Sequence, residues 1–136
     1  MGRTFYLAAK VQNNDAFEEV KNCSLELQDR GHINICKWWE MNGVAKPYLD
    51  NIDTNAPLAV KMSKAACAAQ VFVLFARDDI LGAAKEFGMS LATAEYDPDK
   101  RIYVVGAYTA RQSIFYTHPR VENINSYTDL RNTDWY

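Results

Sequence analysis

Three carboxylates stand close together behind one apolar run. Val71-Phe72-Val73-Leu74-Phe75 contains no polar residue and reads as a strand buried on both faces. Asp78 and Asp79 follow where a helix N-cap is expected. Gly82 then opens an Ala- and Leu-rich helix that carries Glu86 about one turn in. A carboxylate is thereby expected just beyond the C-terminal end of a buried strand, where open α/β sheets hold their ligands. The positive end of the helix dipole favours its ionised form, which a nucleophile or a stabiliser of developing positive charge requires. Read locally, Glu86 also fits a solvated helix position, and Asp78 and Asp79 a pair of helix caps.

The elements around this stretch follow from periodicity. Thr4 to Ala9 predicts a first strand, apolar on both faces, with Tyr6 inside it. Lys10 to Asn14 is turn-like, with Asn13 or Asn14 as a helix cap, and Phe17, Val20, Ser24 and Leu27 recur at helical spacing. Gly31 supplies the left-handed residue that ends this helix, and Ile33 to Cys36 predicts a second short strand. Lys37 to Asp53, with Trp38, Trp39, Gly43 and Pro47, has no clean period and reads as a long loop of the kind that is often functional. Thr54 or Asn55 is the expected cap of a second helix, with Pro57 in its first turn and Leu58, Met62, Ala65, Ala66 and Ala69 on its apolar face. After the Glu86 helix, which runs to about Glu95, Asp97-Pro98-Asp99 makes a turn and Arg101 to Val105 a fourth strand ending at Gly106. Ser113 to Tyr116 is either a short strand or irregular. Asn125 to Leu130 predicts a last short helix capped by Asn125 or Ser126. The order β-α-β-α-β-α-β implies a parallel sheet with helices on both faces, in one domain spanning residues 1–136.

Composition narrows the partners. The net charge is -2, from 15 basic and 17 acidic side chains. No Lys/Arg block stands out, so a nucleic-acid polymer is not the expected ligand. There is neither an apolar run long enough to span a membrane nor a signal-peptide pattern, so a cytoplasmic protein is expected. Cys23, Cys36 and Cys67 are widely spaced and read as reduced thiols. They do not cluster with His32 or His118, and no metal or other cofactor is expected.

Three pieces of the chain, in order, resemble the nucleoside 2-deoxyribosyltransferase-like family. Tyr6-Leu7-Ala8-Ala9 is similar to its first strand. Gly82-Ala83-Ala84-Lys85-Glu86-Phe87-Gly88-Met89-Ser90-Leu91-Ala92 resembles its G-x-x-x-E-x-G-x-A-x-A element. Arg101 to Gly106 with Phe115-Tyr116-Thr117-His118-Pro119 resembles its closing strand and His-Pro segment. Lys37-Trp38-Trp39 also stands where some members carry Asp-Trp-Thr. The match covers about residues 3 to 130, and the set is more specific than any one piece.

The resemblance implies a flavodoxin-like (Rossmann-like) sheet and cleavage of an N-glycosidic bond. Glu86 matches the nucleophile, and Tyr6 the tyrosine whose hydroxyl bonds that carboxylate or the sugar. Asp79 lies near the second carboxylate, one residue from its usual spacing. Ala8, Asp78 and Gly82 fall among the substrate contacts. Gln112 and Ser113 occupy the loop that, in the family, reaches a neighbouring site in a homo-oligomer. Trp38 and Trp39 are placed to stack on a base, although neighbours on an extended chain point opposite ways. His118 reads as a structural turn residue. The chain departs from the family at Gln70 and Met62, where members carry Asp, so base recognition is altered. The loop 77–79 also offers two carboxylates where nucleotide-specific members use serines. Phosphate is repelled by such a loop, with Arg77 the one feature favouring it.

The expected activity is cleavage of a (deoxy)nucleoside by a nucleophilic glutamate, with transfer of the 2-deoxyribosyl group to another base. The alternatives are a (deoxy)nucleoside 5′-monophosphate N-glycosidase that releases free base, or a non-catalytic nucleotide-binding module.

Overall fold

The computed structural model describes residues 2–10, 14–41 and 46–136. Its centre is a five-stranded sheet in which every neighbouring pair is parallel: β1 (Thr4–Ala8), β2 (Ile33–Asn34), β3 (Val71–Phe75), β4 (Arg101–Val105) and β5 (Val121–Ile124), in the order β2-β1-β3-β4-β5. This is the flavodoxin-like α/β arrangement expected from the element order. The strand order reverses between β1 and β3, so the crevice past their C-terminal ends is the natural ligand position.

Alternation along the strands makes two cores. Tyr6, Ala8, Phe72, Leu74, Ile102 and Val104 pack with Ala65 and Ala66 of α2 (Ile52–Ala68) and with Phe87 and Leu91 of α3 (Gly82–Ala94). On the other face Phe5, Leu7, Val71, Val73, Phe75, Tyr103 and Val105 pack with Val20, Cys23 and Leu27 of α1 (Asn14–Asp29), with Leu130 of α4 (Tyr127–Arg131), and with Trp135 and Tyr136. Because both faces are covered, β3 carries no polar residue, and its predicted bounds coincide with the observed ones. No helix of the described residues is long and apolar enough to cross a membrane.

The structure corrects several expectations. β5 was not predicted: it is an edge strand with two exposed polar residues, Glu122 and Asn123, and lacks the apolar run that marks β3. β2 stops at Asn34, whose side chain accepts from the Cys36 backbone N–H at 3.0 Å and turns the chain out of the sheet. α2 begins at Ile52, ahead of the expected caps, because the 3₁₀ turn Leu49–Asn51 runs directly into it. Asn51 and Asn55 tie that turn down by donating to the carbonyls of Pro47 (2.8 Å) and Tyr48 (3.2 Å), and Pro57 lies in the second helical turn. Ser113 to Tyr116 resolves as a 3₁₀ turn, Ile114–Thr117, and Ser126 is the cap of α4. Asn13 and Gly43 lie outside the described residues.

Two glycines act through conformation. Gly31 has φ 92° and ends α1 as expected. Gly106 has φ 154°, and a Cβ there would meet the Ala76 carbonyl oxygen at 3.1 Å, so glycine lets β4 leave the sheet against β3.

Candidate active site

Tyr6 stands in the middle of β1 with its side chain on the α2/α3 face, and it is completely buried. Its ring stacks on Phe72 at 5.8 Å between centroids, and Phe72 in turn meets Phe87 of α3 at 6.4 Å. This row fixes the distance between β1 and α3 and points the phenol at the helix. Glu86 sits at the edge of α3's buried face, whose core residues Ala83, Phe87 and Ser90 flank it. The Tyr6 hydroxyl donates a hydrogen bond to Glu86 Oε2. The half-buried carboxylate is thus held by a rigid donor.

Burial and hydrogen bonding act in opposite directions on this carboxylate. Burial pushes the Glu86 carboxyl up to about 7, opposed by the Tyr6 hydrogen bond. Burial, followed by the Glu86 charge and its hydrogen bond, drives the Tyr6 phenol well above its ordinary value, so it stays a donor. Cys36, buried in the same core, has a raised thiol pKa, first from burial, with Lys61 lowering it and Glu86 raising it. Met41, Met62, Ile80 and Trp38 pack around this core. Met62 therefore gives an apolar surface at the position where the family carries Asp.

The other predicted positions separate into distinct places. Asp79 does not cap α3: Leu81 stands at the N-cap and makes no side-chain cap bond. Its carboxylate instead pairs with Lys10 beyond β1 (3.3 Å) and with Arg77 beyond β3 (3.1 Å). Desolvation alone would raise the Asp79 carboxyl; the Lys10 hydrogen bond and the Arg77 and Lys10 charges outweigh it and hold the group below its usual range. Asp78 is exposed and is likewise not a cap. Gly82 opens α3 as expected and is exposed, with open space where a side chain would stand. Ala8 is completely buried and shows no surface to the crevice, which passes to Ala9 and Lys10.

Trp38 and Trp39 lie in a 3₁₀ turn and pack edge to face at 5.2 Å, so they do not point apart as on an extended chain. Trp38 Nε1 donates to the Leu7 carbonyl at 2.6 Å, which anchors that turn over the end of β1. Gln112 donates to the Tyr108 carbonyl, and Ser113 caps the following 3₁₀ turn. Both line a cleft of about 480 Å³ with Tyr108, Arg111 and Tyr116, and neither Glu86 nor Tyr6 reaches it. His118 is a turn residue: its Nδ1 accepts from the Arg120 N–H at 3.0 Å and its Nε2 lies 3.1 Å from Glu95. Gln70 lies at the opposite, N-terminal end of β3, where its side-chain oxygen accepts from the Thr4 N–H at 2.9 Å. Gln70 therefore ties the start of β3 to the start of β1 and lies away from the C-terminal ends of these strands.

The residue that sequence reasoning passed over is Lys10. It follows β1, lines a cleft of about 250 Å³ with Arg77, Phe75, Gly106 and Tyr127 that neither Glu86 nor Tyr6 lines, and shares Asp79 with Arg77. The only signal was a basic residue directly after the first strand. Its neighbour Asp79 is apparent only once β1 and β3 pair.

No protein-family model matches the sequence, and no curated protein matches it. Among solved structures, the Clostridium botulinum CMP N-glycosidase BcmB superposes with a TM-score of 0.62 over 94% of this chain and 93% of that one, at 17% identity. At that identity the likeness is one of fold: the two chains share the same parallel α/β architecture.

Proposed function

We propose that this protein cleaves the N-glycosidic bond of a nucleoside 5′-monophosphate and releases the free base. The observation that carries the reading is the Tyr6–Glu86 pair between β1 and α3, on a fold shared with a CMP N-glycosidase. Departure of a base leaves an oxocarbenium-like sugar, which a carboxylate beneath C1′ stabilises or traps. Glu86, held in place by Tyr6, takes that role, and water completes the hydrolysis. One water is consumed in all: its hydroxyl goes to C1′ and its proton accounts for the one the departing base takes up.

The loop 77–79 is not the repulsive surface its sequence suggested. The expected repulsion counted Asp78 and Asp79 without Lys10. In the structure Asp79 is neutralised by two cations, so Lys10 and Arg77 balance the loop's charge. This removes the objection to a 5′-monophosphate, and the fold shared with a CMP N-glycosidase supports the hydrolase reading over transfer.

Incubation with a panel of nucleoside and deoxynucleoside 5′-monophosphates, and the matching nucleosides, tests the proposal by separation of products. Free base with pentose 5′-phosphate supports it. Exchange of base onto an added acceptor without free sugar supports the transferase. Intact nucleotide that binds in calorimetry and is recovered unchanged supports a binding module.

A further inference from the structure

The loop that follows β4 encloses the cleft of about 480 Å³ that neither Glu86 nor Tyr6 reaches. Two side-chain amides spend N–H groups on its walls. Gln112 donates to the Tyr108 carbonyl at 2.9 Å, and Asn123 of β5 donates to the Tyr116 carbonyl at 2.8 Å. The cleft is thus braced by its own chain, which lowers the cost of ordering it around a ligand.

The groups left over are donors. Arg111 is the one charged residue among those that line the cleft. Elsewhere Arg77, Arg101 and Arg131 each face a carboxylate, and Arg120 is spent on backbone carbonyls. Arg111 instead has a neutral partner, the Asn125 side-chain oxygen at 2.7 Å, and its Nε is buried without an acceptor. A guanidinium keeps its charge, so the cleft is positive. Ser113 Oγ accepts from the Phe115 N–H and retains its own hydrogen to donate. Tyr116 is held edge to face on Phe87 at 5.3 Å, and its hydroxyl bonds to no described residue. Burial raises the pKa of that phenol, so it stays a donor.

We propose that this cleft is a binding site for a phosphomonoester, with Arg111, Ser113 and Tyr116 holding the phosphate. Donors at three separate points of one loop suit a tetrahedral group with three acceptor oxygens better than a planar carboxylate. The cleft is much larger than the anion alone and has the size of a small-molecule pocket. Tyr108 (76% exposed) and Ile114 (79% exposed) also line it and offer apolar surface to an organic body. The ligand is therefore a sugar phosphate or a mononucleotide, held apart from Glu86. The site does not depend on the proposed cleavage reaction.

Amide NMR titrations with ribose 5-phosphate, ribose and malonate test it, with CMP added to Glu86→Gln protein so that the nucleotide persists. Ribose 5-phosphate is expected to bind with a Kd below about 1 mM and to shift the amides of residues 111–117. Ribose should leave them in place, and malonate should bind at least about tenfold more weakly. Tighter binding of CMP at the same amides assigns a mononucleotide, and weaker binding a sugar phosphate. Arg111→Met should weaken the ligand at least about tenfold and Tyr116→Phe severalfold, with melting curves confirming that each variant is folded. The proposal is overturned if no phosphomonoester shifts these amides at about 10 mM, or if the shifts fall only around Lys10 and Arg77. Malonate binding as tightly, or binding indifferent to Arg111→Met, overturns it as well. Should Arg111→Met fail to fold, the position of the wild-type shifts and the effect of Ser113→Ala decide the matter.

Discussion

Tyr6 and Glu86 are 80 residues apart in sequence and share one hydrogen bond, phenol to carboxylate, across the gap between β1 and α3. Two opposing influences act on Glu86. Burial raises its pKa and the phenol lowers it, which leaves the carboxyl titrating near 7, where small changes in surroundings change its charge.

Glu86→Gln keeps the shape and removes the charge. Turnover of the active nucleotide is expected to fall by at least about 10³-fold, the scale of a lost key electrostatic contact, with binding within about tenfold of wild type. Retention of more than a tenth of the wild-type rate would rule out Glu86 as the charged group.

The same substitution reads out stability. The folded-state pKa of Glu86 lies above its unfolded value, so its contribution is fully present below about 4.5 and is lost as pH rises through about 7. Gln carries no such penalty. Urea denaturation should therefore find Glu86→Gln more stable than wild type by about 1–3 kcal/mol at alkaline pH, with the gap closing toward pH 5.

Tyr6→Phe deletes the donor that favours the ionised carboxylate. Glu86 should then titrate higher, and the acid limb of the pH profile of kcat/KM should move to higher pH. The rate at neutral pH is expected to fall about 10- to 100-fold, with stability lowered by about 1 kcal/mol for the lost hydrogen bond. An unmoved acid limb would show that the phenol does not set the charge on Glu86.

Asp79→Asn separates two roles. If Asp79 balances Lys10 and Arg77, its neutralisation lowers KM for 5′-monophosphates severalfold relative to nucleosides and leaves kcat within about threefold. A fall in kcat of about 100-fold or more, for nucleosides as well, would instead identify it as the proton donor to the base.

Lys100 lies at the other end of the sheet. It is almost fully buried, and its ammonium donates to the carbonyls of Ala66 and Cys67 (both 2.9 Å), closing the C-terminus of α2. Burial lowers its pKa from 10.5 to about 8, so the folded state binds fewer protons in that interval and this group's contribution to stability grows from about pH 8 to 10.5. Lys100→Met abolishes that slope and orphans the carbonyls. Urea titrations should show a loss of about 1–3 kcal/mol near pH 10 that shrinks toward pH 7, where the wild type carries the desolvation penalty of the buried ammonium, with turnover per folded molecule unchanged.

By itself the sequence determined β3, β4, the opening of α3 at Gly82 and the end of α1 at Gly31, and it narrowed the α4 cap to Asn125 or Ser126. Each is a local matter. A strand covered on both faces must be apolar throughout, a left-handed residue is best a glycine, and a cap needs a short side-chain oxygen at one position. The same logic failed at β5 because an edge strand needs no continuous apolar run, and at Asp78 and Asp79 because the loop continues to Leu81 before the helix begins. Only the tertiary structure decided the charge states of the site. Pairing of β1 with β3 brings Lys10 beside Asp79, and packing of α3 on β1 brings Tyr6 to Glu86. It also moved Gln70 to the far end of the sheet and Met62 against the core beside Tyr6. The physical reason is that desolvation and charge pairing depend on separation in space, so the state of a carboxylate is set by residues that the chain places far away along its length.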